Sequence, residues 1–392
     1  MSREIIRKEL LKKFNELRRG IIEASVRFGK TRLGLMAIKK EQKVLICYPR
    51  KAIKKAWEDE IEKLDKEFDI EYSTFRSLKK HNADYDFIIV DEIHKASAAE
   101  RAQIMRLSRG KDLLGLTGTL GFRSLKVWER INVPVIAKFG LEEAIDHGFV
   151  KDYRIFIRYL NLSPANMGKY KFYTAKIEEQ IENSPGYKYF VRLRSELLYN
   201  SGNLTAAVKK DLEKLKDEKV LIFSLRTDVA DKLGKSYHSK SSDNSELEDF
   251  KLAESGHLST VDMVSEGVTI HNLNHIVCHT VTSNTEDFQQ KLGRGLQYSE
   301  GICKVLVYCL KNTVQEDWVE NACKSLNQHK INYLGYDLPL EKKVDYLKRT
   351  NPEKEFYTYY GSICYKEGEQ VKFYGDKKDK AYNIPKYKLT PL

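Results

Sequence analysis

Short, almost purely apolar runs recur along this chain, each followed by a stretch of helical periodicity, and that alternation restricts the fold more than any other feature. In the first part the runs are Ile21 to Ala24, VLICY (Val44 to Tyr48), FIIV (Phe87 to Val90) and LLGLT (Leu113 to Thr117). Helical patterns lie at Glu4 to Leu17, around Ala52 to Leu64 and near Ala98 to Leu107. A strand without a polar face is buried on both sides, and strands that alternate with helices pair in parallel through crossovers. The pattern therefore predicts a parallel sheet covered on both faces.

The alternation stops at AIDHGFVKDY, Ala144 to Tyr153, which follows neither period, and then resumes. RIFIRYL reads as a strand and a polar helical segment runs to about Lys219. After it come VLIF (Val220 to Phe223), STVDMV (Ser259 to Val264), HIVCHT (His275 to Thr280) and KVLVYCL (Lys304 to Leu310), with helices from Thr285 and from Val314 to Leu326. We expect an α/β domain over residues 1–143, a hinge at 144–153 and a second α/β domain over 154–330. The aromatics of EFYTYYGSICY and VKFYG predict a small β-rich module at 331–392, with its rings in a sheet core.

At 392 residues the chain exceeds a single small module, and 68 basic against 56 acidic side chains leave +12. Such a surplus attracts polyanions without specifying a fold. Six cysteines lie mostly inside apolar runs with no CxxC pair, the pattern of buried, reduced thiols. The charged N-terminus is not a signal peptide, and no stretch reaches the ~20 apolar residues of a membrane helix. These features point to a cytoplasmic protein with no membrane partner.

Ala24, Ser25, Val26, Arg27, Phe28, Gly29, Lys30 and Thr31 fit a phosphate-binding loop with alanine at its first glycine, between a strand and a helix. In such a loop backbone amides cradle phosphates, Lys30 neutralises β and γ oxygens and Thr31 ligates Mg²⁺. Asp91-Glu92-Ile93-His94 follows the apolar strand FIIV. A carboxylate there reaches the metal of a neighbouring phosphate loop and a second polarises water, so Asp91 is the candidate metal partner and Glu92 the general base.

GKT, DEIH and then Leu116-Thr117-Gly118-Thr119 resemble superfamily 2 helicases of the DEAH/DExH kind. In the second half His238 and Ser239 precede Asp262-Met-Val-Ser-Glu-Gly267, similar to that family's motif V, and Gln290-Lys-Leu-Gly293-Arg294 resembles the start of its motif VI. SEGVTIHNL and FQQKLGRGLQ are closest to small phage-type DNA helicases and restriction-enzyme ATPase subunits. The resemblance covers about residues 20 to 325. It implies two tandem RecA-like P-loop NTPase domains and an ATP- and Mg²⁺-dependent motor on nucleic acid, DNA rather than RNA, in a bacterial or phage-infected cell.

It also implies roles. Pro49, Arg50, Thr74, Arg76, His238 and Ser239 would grip the nucleic-acid backbone. His94, Thr117, Gly118 and Thr119 would couple nucleotide state to domain movement. Gly267 would join the nucleotide site, while Gln290 and the arginine finger Arg294 would act across the cleft. The family's second arginine of motif VI is Gln297 here, and Ser2 to Gly20 holds no glutamine to read an adenine edge. Two other readings stand beside the motor: an ATP-gated nucleic-acid-binding subunit or scaffold of a larger nuclease assembly, and a P-loop enzyme unrelated to nucleic acid.

Overall fold

The computed structural model describes residues 2–391 apart from 65, 83, 242, 262–269, 283, 298–300, 335–343, 346, 350, 360–361, 374–380 and 385–388. Helix α1 (Arg3–Leu17), capped by the Ser2 hydroxyl, lays Ile6, Leu10, Leu11 and Phe14 into the core. Six strands follow: β1 (Arg19–Ala24), β2 (Lys43–Tyr48), β3 (Asp69–Thr74), β4 (Phe87–Asp91), β5 (Asp112–Thr117) and β6 (Val135–Phe139). They pair in parallel in the order β3-β2-β4-β5-β1-β6. Their crossovers carry α2 (Lys30–Met36), α3 (Ala52–Glu62), α4 (Ala98–Leu107) and α5 (Phe122–Arg130), and α6 (Leu141–Asp146) follows β6. Alternate residues of one strand enter opposite cores: Val44, Ile46, Phe87 and Ile89 on one face, Leu45, Cys47, Ile88 and Val90 on the other. This is why these strands have no polar period.

The second sheet is also parallel, in the order β13-β7-β12-β11-β8-β10-β9. Its strands are β7 (Asp152–Leu160), β8 (Lys219–Phe223), β9 (Ser236–Tyr237), β10 (Gly256–Thr260), β11 (His275–Cys278), β12 (Ile302–Leu310) and β13 (Ile331–Leu334). Its helices are α7 (Pro164–Glu178), α8 (Pro185–Tyr199), α9 (Gly202–Lys214), α10 (Thr227–Lys232), α11 (Ser245–Leu252), α12 (Thr285–Gly295) and α13 (Gln315–Cys323). An antiparallel sheet closes the chain, ordered β17-β16-β15-β14-β18, from β14 (Phe356–Tyr359), β15 (Ser362–Glu367), β16 (Gln370–Phe373), β17 (Ala381–Tyr382) and β18 (Thr390–Pro391). Phe356 and Tyr357 are buried in its cores.

Two segments differ from the sequence reading. Ala144 to Tyr153, which shows neither period, contains the end of α6 and the start of β7, because a six-residue helix is too short to display one. Ile331–Leu334 pairs with β7 and extends the second sheet past position 330. The two sheets are joined where Lys330 Nζ meets Glu142 Oε2 and Asp152 Oδ1, both at 2.7 Å, while the Tyr153 hydroxyl donates to Glu142 Oε1 at 2.7 Å. All six cysteines are buried and free. Among the described residues no helix is long and apolar enough to cross a membrane.

Candidate active site

The loop after β1 is shaped by its own backbone. The Ser25 amide donates to the Phe139 carbonyl at 2.9 Å, and the Phe28 amide returns to the Ser25 carbonyl at 3.3 Å. Arg27 and Gly29 take left-handed φ of 63° and 88°, an unfavourable choice for the non-glycine of the two. Phe28 is fully buried against Phe139, ring centroids 4.5 Å apart, so this bulky residue anchors the loop instead of obstructing it. Arg7 of α1 donates from Nη2 to the Phe28 carbonyl at 2.8 Å, and a Cβ at Gly29 would lie 2.5 Å from that nitrogen. Among the described residues the buried Ser25 hydroxyl has no hydrogen-bond partner. Lys30 and Thr31 open α2 directly after the loop.

Two strands away, β4 delivers the acidic pair. Asp91 is 6% exposed; Oδ2 accepts from Trp57 Nε1 at 3.0 Å and Oδ1 from the Glu92 amide at 2.9 Å. Burial and the adjacent Glu92 carboxylate push its pKa up to about 6, against the pull of Lys30. Glu92 itself sits at φ 49°, which turns it to Lys30 Nζ at 3.7 Å and His94 Nδ1 at 3.4 Å. Burial works to raise its pKa, but Lys30, His94, Lys95 and Arg294 together hold the carboxylate below its ordinary range. The Thr117 hydroxyl donates to the Thr119 carbonyl at 2.8 Å, so His94 Nδ1, 2.8 Å from Thr117 Oγ1, is the donor in that contact. A Cβ at Gly118 would reach 3.5 Å from Lys30 Nζ.

Helix α12 of the second domain faces this cluster. A Cβ at Gly293 would come within 2.8 Å of three Val26 carbons, so glycine lets α12 approach the loop. Gln290 Oε1 accepts from Lys95 Nζ at 3.4 Å, and the Thr119 hydroxyl bonds Gln289 Oε1. The Arg294 charge acts on Glu92 from the same helix. A cavity of about 310 Å³ remains between Ser25, Val26 and Thr119 on one side and Gln289, Ser325 and Leu326 on the other.

The structure thus gathers Ala24 to Thr31, Asp91, Glu92, His94, Thr117 to Thr119, Gln290 and Arg294 about one cleft. Pro49 and Arg50 follow β2, and Thr74 and Arg76 end β3 and begin the next turn, on the C-terminal edge that also carries the loop. Arg50 and Arg76 are exposed. His238, which the sequence reading assigns to the nucleic-acid backbone, is 6% exposed, with Nε2 2.8 Å from Asp231 Oδ1, while Ser239 beside it is exposed. Gly267 lies outside the described residues. Sequence reasoning missed Trp57, Arg7 and Lys95. Trp57 was signalled by Ile53 and Trp57 at helical spacing on an otherwise charged helix; Arg7 and Lys95 had no signal.

The description "Helicase conserved C-terminal domain" matches residues 203–299, which run from α9 through α12. No curated protein matches the chain in sequence. Over 81% of this chain and 96% of the other, the helicase domain of Hef from Pyrococcus furiosus superposes with a TM-score of 0.51 at 12% identity. The chain has the fold of these helicases, two tandem RecA-like domains, followed by a C-terminal extension. The same helicase fold is seen in Dbp5 of S. cerevisiae bound to RNA and ADP BeF3, with TM-score 0.53 and 11% identity over 87% of this chain and 97% of that one. It is seen again in the ATP-dependent type ISP restriction-modification enzyme LlaBIII bound to DNA, with TM-score 0.56 and 14% identity over 88% of this chain. The chain spans only 32% of that enzyme's length.

Proposed function

We propose that this chain is an ATP-hydrolysing motor that moves along nucleic acid, with DNA as its track. One observation carries the reading: Glu92 is 3.7 Å from a lysine of its own domain and also feels the charge of Arg294 from the other. A triphosphate entering between the domains draws Lys30 from Glu92 to its β and γ oxygens. Glu92 is then free to take a proton from the attacking water, and Arg294 stabilises charge developing on the γ-phosphoryl group. Hydrolysis requires both domains, so closure and turnover are linked, and His94 with Thr117 and Thr119 connects the site to the domain contact at Gln289.

The donor set fits Mg²⁺. A hydroxyl and a single carboxylate beside a phosphate cradle suit an ion that keeps waters and leans on substrate phosphates. Thr31 and Asp91 would hold it, and its chemistry is to neutralise phosphate charge.

Alternating grip by Pro49, Arg50, Thr74 and Arg76 on the first domain and by the second domain would carry the protein along a strand. The net charge of +12 favours backbone-dominated, salt-sensitive binding. DNA is favoured by the motif phrases shared with phage-type helicases and by the likeness to LlaBIII. A slower, ATP-gated binding subunit is the second reading, favoured by Gln297, whose Nε2 lies 3.0 Å from His271 Nδ1 at the position of the family's second arginine. ATP turnover with and without single-stranded DNA decides: stimulation that disappears in Glu92→Gln supports the motor, and tight ATP-dependent binding without turnover supports the clamp. Strand displacement on forked DNA beside an RNA duplex tests the choice of DNA.

A further inference from the structure

Between β7 and α9 the second domain carries a helical hairpin, α7 and α8, that the cleft chemistry does not use. Each helix begins with Ser-Pro: Ser163 and Ser184 accept from the amides of Asn166 and Tyr187 at 3.3 and 3.1 Å, with proline in the first turn. The hairpin is tied inward by Tyr170, Ile177 and Leu198, which are buried, and by the Tyr170 hydroxyl, which accepts from the Val314 amide at 2.8 Å. Its outer surface is different.

Four rings cross it in a continuous line. Phe172 meets Tyr173 at 5.8 Å, Tyr173 meets Phe190 at 6.5 Å, and Phe190 meets Tyr189 at 5.3 Å. The two ends of the line face water, Phe172 at 55% and Tyr189 at 50% exposure. Single exposed rings are ordinary, but here two exposed rings are linked through two half-buried ones, the outer pairs meeting edge to face. The exposed charges beside it have one sign: Lys169 and Lys171 on α7, Lys188 and Arg192 on α8, with the Arg192 guanidinium 5.8 Å over the Tyr189 ring. The exposed acids Glu178, Glu179 and Glu182 stand at the far tip. The hairpin also leaves the C-terminal end of β7, the same edge of the parallel sheet from which the loops after β8 and β11 emerge. In open parallel sheets that edge carries the ligands.

We propose that the α7–α8 hairpin is a nucleic-acid contact outside the cleft, a ledge on which unpaired bases stack while the flanking cations meet the phosphates. Rings accept any base face and lysines any phosphate, so this contact is indifferent to sequence. The inference rests on the nucleic-acid reading above but makes a separate demand.

Fluorescence anisotropy of the full chain with labelled oligothymidylate tests it. Phe172→Ala combined with Tyr189→Ala is expected to weaken single-strand binding about tenfold or more, with a circular dichroism spectrum and thermal midpoint like wild type. Blunt duplex binding should change far less, because paired bases present no free face. Lys169→Gln with Lys171→Gln should flatten the dependence of log affinity on log salt. Wild-type binding with an unchanged ring variant overturns the hairpin proposal alone. Equal loss on strand and blunt duplex also overturns it, as does a ring variant that shifts from dimer to monomer in sedimentation while its strand affinity holds. A wild type that binds no strand at low salt overturns both this proposal and the motor.

Discussion

The indole nitrogen of Trp57 donates a 3.0 Å hydrogen bond to Oδ2 of Asp91 at the buried end of β4. The contact partly compensates a charge that burial disfavours, for Asp91 titrates near 6 in place of 3.8. A carboxylate whose folded pKa is raised costs stability once it ionises. The cost is fully present above about pH 6 and disappears as pH falls below 3.8. Asp91→Asn is therefore expected to raise the thermal midpoint at pH 7.5 without nucleotide or metal, by the equivalent of up to about 3 kcal/mol, and to lose that advantage near pH 4. Thermal melts across this range check the sign. Trp57→Phe removes the hydrogen bond that favours the ionised form and should deepen that loss of stability above pH 6 in the same melts.

Glu92→Gln keeps the shape of the site and removes both the proton acceptor and the partner of Lys30. Turnover should fall by about 10² to 10⁴-fold, while ATP binding is retained or tightened because Lys30 no longer has to leave a carboxylate. Isothermal titration beside single-turnover kinetics separates the two effects.

In the proposed mechanism Arg294 acts from the second domain on charge that develops during the reaction. Arg294→Ala should lower the rate constant by about 10³-fold or more with little change in nucleotide affinity, whereas Lys30→Ala should lose both. Equal loss of binding in the two variants would place Arg294 outside that role.

Arg7 holds the Phe28 carbonyl next to a glycine in left-handed conformation. Arg7→Ala should therefore raise the KM for ATP by severalfold more than it lowers kcat, and Arg7→Lys should restore part of the difference. Gly29→Ala should be worse on both counts, since its methyl would strain the backbone and press on Arg7.

The two sheets were legible because strands buried on both faces must be apolar throughout, as in VLICY and FIIV. That Lys30, Asp91 and Glu92 converge was legible because each ends or follows such a strand. The burial of His238 was not legible, since a motif match cannot tell that Asp231, seven residues earlier, holds the imidazole. Arg7 and Lys95 were invisible for another reason. Their partners, the Phe28 carbonyl and Gln290, are a backbone oxygen in one case and 195 residues distant in the other. The ring line of the hairpin needed both helices to be placed before Tyr173 and Phe190 could meet.

Lys330, gripping Glu142 and Asp152 together, ties the domains at one corner, well away in sequence from Glu92. Should that joint hold while the contacts at Gln289 and Gln290 part, opening becomes an angular swing, not a parting of two bodies. Groups close to the pin hardly travel, while those far out on the second domain sweep long arcs for the same few degrees. On the motor reading proposed above, the length of one stride would be set by lever arm, and a variant that loosens Lys330 would shorten it while leaving Lys30, Asp91 and Glu92 in place.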